Sequence, residues 1–132
     1  MNPKTSRHLT LEEVRTIHAL MIEQHGGTHG ERAPHALESA LAQPGAAHFG
    51  TPLHSTVSEQ AGAYLFHLCQ AHAFLDGNKR TALFATLTFL QLNGFTLQAT
   101  DDQLFDLVLQ VATGMVNKSA LNVILEPWLQ PL

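Results

Sequence analysis

Asn78-Lys-Arg-Thr-Ala-Leu-Phe-Ala-Thr-Leu-Thr-Phe-Leu-Gln-Leu-Asn93 carries apolar side chains on nearly every side of a helical repeat. Ala82, Leu83, Phe84, Ala85, Leu87, Phe89, Leu90 and Leu92 are interrupted only by small threonines and one glutamine. Gly94 follows as the left-handed stop. A helix that is apolar all round is buried on all sides, so the rest of the chain is expected to be built around residues 78–93. Working toward the N-terminus, Thr56 and Glu59 have capping-box spacing and open a helix to about Ala71. Its apolar face is Val57, Ala61, Tyr64, Leu65 and Leu68. Residues 44–56 hold Pro44, Gly45, Gly50 and Pro52 and read as a loop with room for a small hairpin. Pro34 takes the first turn of a short helix through Ala42, which Pro44 halts. Thr10 and Glu13 form another capping box, starting a helix that stops at Gly26-Gly27. Leu11, Val14, Ile17, Leu20 and Met21 are its expected buried stripe.

Working toward the C-terminus, Phe95 to Ala99 reads as a brief strand or extended turn. Thr100 and Gln103 cap a helix with a stripe of Leu104, Leu107, Val108 and Val111, ending at Gly114. A last helix over about Lys118 to Leu129 is apolar at Leu121, Ile124, Leu125 and Trp128. Pro127 inside it predicts a kink or an early end. The expected architecture is all-α: one domain over residues 1–132, a helical bundle around a buried central helix with a small flap loop or hairpin.

Composition narrows the function. The chain has 132 residues, 45% of them hydrophobic, which fits a single globular domain. Seven lysines and arginines and a net charge of −4 argue against a non-specific nucleic-acid binder. No apolar run approaches the ~20 residues of a membrane span. Met1 to His8 is polar, without the apolar core of a signal peptide, so the expected location is the cytoplasm. Cys69 is the only cysteine and lies in an apolar helical stretch, where it reads as a small buried hydrophobe. Nine histidines are scattered along the chain, and carboxylates are not interleaved with them in a ligand pattern, so a structural zinc site is not expected.

The chemistry is concentrated in His72-Ala-Phe-Leu-Asp-Gly-Asn-Lys-Arg80, a polar segment just before the apolar helix. The first amides of a helix lack internal partners and sit at the positive end of its dipole, so they attract anions. Gly77 lets backbone approach closely, Asn78 can cap the helix or hold an anion, and Lys79 and Arg80 add positive charge. Asp76 would repel a phosphate unless a cation lay between them, which makes it a candidate magnesium ligand. His72 can take a proton from an incoming hydroxyl. Phe74 is expected to bury itself and pin the loop. A base, a cation ligand, an anion nest and two positive clamps are what phosphoryl or nucleotidyl transfer needs.

The run His72-Ala-Phe-Leu-Asp-Gly-Asn-Lys-Arg-Thr-Ala-Leu83 resembles the signature of the Fic/Doc superfamily, in its Doc (death-on-curing) form. Fic proteins carry a glycine where this chain has Lys79 and a second arginine where it has Leu83. Further similarity lies in Leu9-Thr-Leu-Glu-Glu-Val14, Leu37-Glu-Ser-Ala-Leu-Ala-Gln-Pro44 and Phe89-Leu-Gln-Leu-Asn-Gly94, so the likeness spans residues 9 to about 125. The chain departs from the common Doc pattern at Arg32-Ala33, where many relatives have Arg-Asp, and at His54-Ser55, where Tyr-Pro is frequent.

The resemblance implies the compact helical Fic fold, with the loop around residues 48–56 as a flap over the target. It implies a toxin that transfers the terminal phosphate of ATP, with Mg2+, to a threonine of translation elongation factor Tu and arrests translation. By position, His72 would be the base, Asp76 the magnesium ligand, Gly77, Asn78, Lys79 and Arg80 the phosphate and ATP site, and Phe74 the anchor. The implied partner is a Phd-type antitoxin whose disordered tail folds on binding. Two alternatives stand beside this reading: AMP transfer of the Fic kind, and a catalytically idle domain that binds an antitoxin or regulates transcription.

Overall fold

The computed structural model describes residues 6–132, so residues 1–5 of the polar N-terminal stretch lie outside the described residues. Among the described residues, six helices form where capping and periodicity place them. They are α1 (Leu11–His25), α2 (Pro34–Ala42), α3 (Val57–Ala71), α4 (Asn78–Leu92), α5 (Asp101–Ala112) and α6 (Lys118–Trp128). The capping boxes at Thr10/Glu13 and Thr100/Gln103 are both closed. At α3 only half of the box forms: Thr56 accepts from the Glu59 N–H, but the Glu59 carboxylate accepts from the Thr56 and Ser55 hydroxyls rather than from the Thr56 amide.

The all-α expectation is corrected by two small antiparallel sheets, which leave the fold mostly helical. The strands β1 (Ala47–His48) and β2 (Thr51–Pro52) make the hairpin foreseen in the flap region. Its tip residues Phe49 and Gly50 both have positive φ, 49° and 80°, as a tight two-residue turn between right-twisted strands requires. Two further strands, β3 (Phe95–Leu97) and β4 (Leu129–Pro131), pair across the C-terminus. Pro127 ends α6 within a turn, and the freed chain runs back along β3.

A second correction concerns the centre. The hub is α3, which packs against α2, α4, α5 and α6, with its most extensive contact on α4. The hydropathy of α3 understates its burial because polar and small residues lie inside. Ser58 donates to Asn122 Oδ1 at 2.8 Å, Gln60 donates to the His54 carbonyl at 3.2 Å, and Ala61-Gly62-Ala63 admits neighbouring helices closely. α4 is not buried all round: Leu92 is 46% exposed in its last turn, and Phe84 and Leu87 are half-buried.

The α1 stripe also rotates relative to the expectation. Leu20 is 45% exposed, whereas His18 and Ile22 join Val14 and Met21 in the core. The contact line follows 14, 18, 21 and 22 because this face of α1 lies on α4. At the far end of α4, the buried Asn93 side chain accepts from the Arg7 N–H at 2.8 Å and donates to the Arg7 and Phe89 carbonyls at 2.9 and 2.8 Å. Among the described residues, no helix is long and apolar enough to cross a membrane.

Candidate active site

α3 ends at His72, which adopts the left-handed conformation (φ 47°, ψ 43°). A non-glycine residue pays about 1 kcal/mol for this geometry. The Arg32 guanidinium supports it by donating from Nε and Nη2 to the His72 carbonyl at 3.3 and 3.2 Å. The chain then dips into the core at Ala73 and Phe74 and re-emerges through Leu75 and Asp76. Gly77 (φ 75°) caps α4.

The loop is clasped from behind by residues 26–33. The Arg32 and Ala33 N–H groups donate to the Ala73 carbonyl at 2.7 and 3.0 Å, and the Leu75 N–H donates to the Gly30 carbonyl at 3.0 Å. Glu31 bridges Phe74 through the backbone, while its side chain takes a two-point ion pair from Arg15 at 2.8 and 3.1 Å. Gly27 suits this place because its φ is 115°, and a Cβ on it would lie 2.7 Å from Asp76 Oδ2 and push the carboxylate aside.

Asn78 closes the loop upon itself. The Phe74 N–H donates to Asn78 Oδ1, and Asn78 Nδ2 donates to the Phe74 carbonyl, both at 3.0 Å. Asp76 has its carboxylate oriented by two amides: Gly77 N–H to Oδ1 at 3.0 Å and Thr28 N–H to Oδ2 at 3.2 Å. Phe74 is buried, as expected of an anchor, and stacks on His18 with ring centres 3.8 Å apart.

A pocket of about 360 Å³ opens at the start of α4. Asp76, Gly77, Asn78, Lys79 and Arg80 form one wall, and Phe105, Val108 and Leu109 of α5 form the other. Five of the seven residues singled out in sequence therefore meet at one cavity. Phe74 lies behind it, and His72 is exposed but outside the pocket wall. The amides of Asn78, Lys79 and Arg80 are the first of α4 and have no carbonyl a turn below them. Neither Lys79 nor Arg80 takes part in any salt bridge among the described residues. The pocket thus combines two uncompensated cations, a helix N-terminus and one carboxylate, an arrangement suited to a polyanion that carries a cation. Cys69 is buried, and burial pushes its thiol up to about 12, which fits a packing role.

Sequence reading missed His18, the clasp at Gly27, Thr28, Gly30 and Arg32, and the apolar wall. The wall had a visible signal: Phe105 and Leu109 are four apart on the face of α5 that its core stripe leaves to solvent. His18 falls one turn after Val14, on the true contact line.

The Fic/DOC family model matches residues 8–90, more than half of the chain. A protein described as Toxin Doc from Mycolicibacterium smegmatis is 36% identical over 110 residues, covering 82% of both chains. One described as Protein kinase doc from Escherichia phage P1 is 33% identical over 115 residues, covering 86% of this chain and 89% of its own. The family match includes the loop and the Asp76–Arg80 wall of the pocket, and the chain belongs to the Fic/DOC family, in its Doc branch.

Proposed function

We propose that the chain is the toxin of a toxin–antitoxin pair, a Doc-type kinase that moves the terminal phosphate of ATP to a threonine hydroxyl of translation elongation factor Tu and so arrests translation. The observation that carries this reading is the single pocket wall on which Lys79 and Arg80, without ion pairs among the described residues, meet the α4 N-terminus and the Asp76 carboxylate. The phage relative named a protein kinase supports it. So does Leu83, which is 4% exposed in the core and offers the pocket no second arginine of the Fic kind.

Asp76 fits a magnesium ligand. Each of its oxygens accepts one amide and keeps a further lone pair, and magnesium takes one or two carboxylates alongside phosphates and water. When bound, the ion neutralises charge along the phosphate chain. The amides of Asn78, Lys79 and Arg80 receive phosphate oxygens, the close backbone at Gly77 lets them approach, and the Lys79 and Arg80 side chains clamp them. His72 lies exposed four residues before Asp76, where an incoming protein hydroxyl can reach it. Its ring nitrogen takes the threonine proton as the threonine oxygen bonds to the terminal phosphorus. The bond from that phosphorus to its bridging oxygen breaks, and ADP leaves with the electron pair.

Residues 1–132 act as one Fic/Doc domain in the cytoplasm, where ATP and the elongation factor are found. Control falls to a separate Phd-type antitoxin, a reading that the relative named Toxin Doc supports. The test is intact-mass spectrometry of purified elongation factor Tu after incubation with the protein, ATP and magnesium. A gain of one phosphate that His72→Ala abolishes supports the kinase. A gain of one AMP keeps the site and reverses the nucleotide. No gain from a folded protein refutes this target.

A further inference from the structure

His18 is 4% exposed and stands 58 residues from Asp76 in sequence, yet its ring lies directly under the catalytic loop. Nε2 is 2.8 Å from the Asp76 backbone oxygen. A carbonyl can only accept, so Nε2 carries the proton and donates. One ring face lies on Phe74, with centroids 3.8 Å apart and planes within 8°. Ile22, one turn further along α1, completes the seat. A Cβ on Gly77 would lie 3.0 Å from Ile22 Cδ1 and 3.8 Å from His18 Nε2.

We propose that His18 is the positioning residue of this site, acting through the Asp76–Gly77 peptide. The inference rests on the phosphotransfer reading only for its kinetic consequence. The peptide unit is planar and trans, so its carbonyl and N–H point in opposite directions. Holding the Asp76 carbonyl down toward α1 therefore turns the Gly77 N–H away from α1. There it meets Asp76 Oδ1 at 3.0 Å and fixes the carboxylate on the pocket side. The same peptide sets the direction in which Gly77 starts α4, and hence the aim of its free amides. His18 touches neither substrate nor ion; it sets the carboxylate and the anion nest relative to each other. No other side chain donates to the Asp76 carbonyl among the described residues.

Two replacements separate the hydrogen bond from the stack. His18→Gln keeps a donor of similar reach and gives up the ring. His18→Phe keeps the ring and gives up the donor. Loss of a positioning partner of this kind costs roughly 10- to 100-fold in turnover. His18→Phe is expected to lose that much kcat with a smaller change in KM for ATP, and His18→Gln to recover most of it. Hydrogen–deuterium exchange of the peptide over residues 73–81 gives a readout free of activity: it should quicken in His18→Phe and stay slow in His18→Gln. Wild-type kcat and wild-type loop exchange in His18→Phe would overturn the proposal. If the unaltered protein transfers no phosphate, the function proposed above fails while the exchange measurement still decides the role of His18. Should the variants fail to fold, imidazole 15N spectra of the unaltered protein decide it. His18 is expected as the Nε2–H tautomer, and an Nδ1–H tautomer refutes the bond.

Discussion

Asn78→Ala should act on stability before it acts on ligand binding. The side-chain amide is consumed by two hydrogen bonds of 3.0 Å to the backbone of Phe74, one donated and one accepted. Alanine leaves the Phe74 N–H and carbonyl without partners behind a buried ring. An orphaned buried backbone group costs about 1–3 kcal/mol. These bonds are part-buried, so water reaches some of the loss, and two groups together give about 2–4 kcal/mol. For a domain of this size, about 3–6 °C of melting temperature goes with each kcal/mol, so the midpoint should drop by roughly 6–24 °C. Urea unfolding with an unchanged m-value would give the free energy directly. Asn78→Asp sharpens the test, since it keeps the acceptor for the Phe74 N–H and sets a carboxylate oxygen against the Phe74 carbonyl; it should also destabilise. If Asn78→Ala melts with the unaltered protein and only ATP binding is lost, the amide serves the ligand and the loop-closing role is wrong.

Lys79→Ala and Arg80→Ala should do the reverse. Neither side chain has an ion-pair partner among the described residues, so melting should barely move, while each lost charge-assisted contact should weaken ATP binding by roughly 10- to 100-fold in calorimetric titration. Stability should also depend on pH through His67, whose Nε2 accepts a hydrogen bond from the Lys118 ammonium at 3.1 Å. Burial, then Lys118 and His54, pushes it down from 6.5 to about 4. Between those two values the unfolded chain binds the proton and the folded one does not, so the stability is complete above 6.5 and is lost as pH falls toward 4. Urea midpoints across that window should fall with pH, and His67→Gln should flatten the slope; an equal slope in the variant would refute the assignment.

Helix boundaries were largely readable because local chemistry sets them. Thr10, Thr56 and Thr100 each accept the backbone N–H three residues on, and Gly26, Gly94 and Gly114 all turn with positive φ after a helix. The pocket wall was readable for a similar reason, since Asp76 to Arg80 are contiguous and a helix start brings them to one place. What escaped is set by contacts between distant segments. The central place of α3 depends on buried polar groups whose partners, Asn122 and His54, no hydropathy pattern reveals. The pairing of β3 with β4 joins residues more than thirty positions apart. Asn78 read as a cap or an anion contact because its partner, the Phe74 backbone, becomes available only once the loop has closed.

The two asparagines at the ends of α4 have a joint effect. Asn78 ties the first turn to the loop before it, and Asn93 ties the last turn to Arg7 near the N-terminus. A helix fastened at both ends cannot slide along its axis or unwind a turn to meet an incoming charge. Its free amides are then already in place when a phosphate arrives, and little reorganisation remains to offset the gain on binding. On the phosphotransfer reading proposed above, adjustment is left to the long side chains of Lys79 and Arg80, and tolerance for different phosphate-bearing ligands would reside in those two residues while the backbone stays a fixed template.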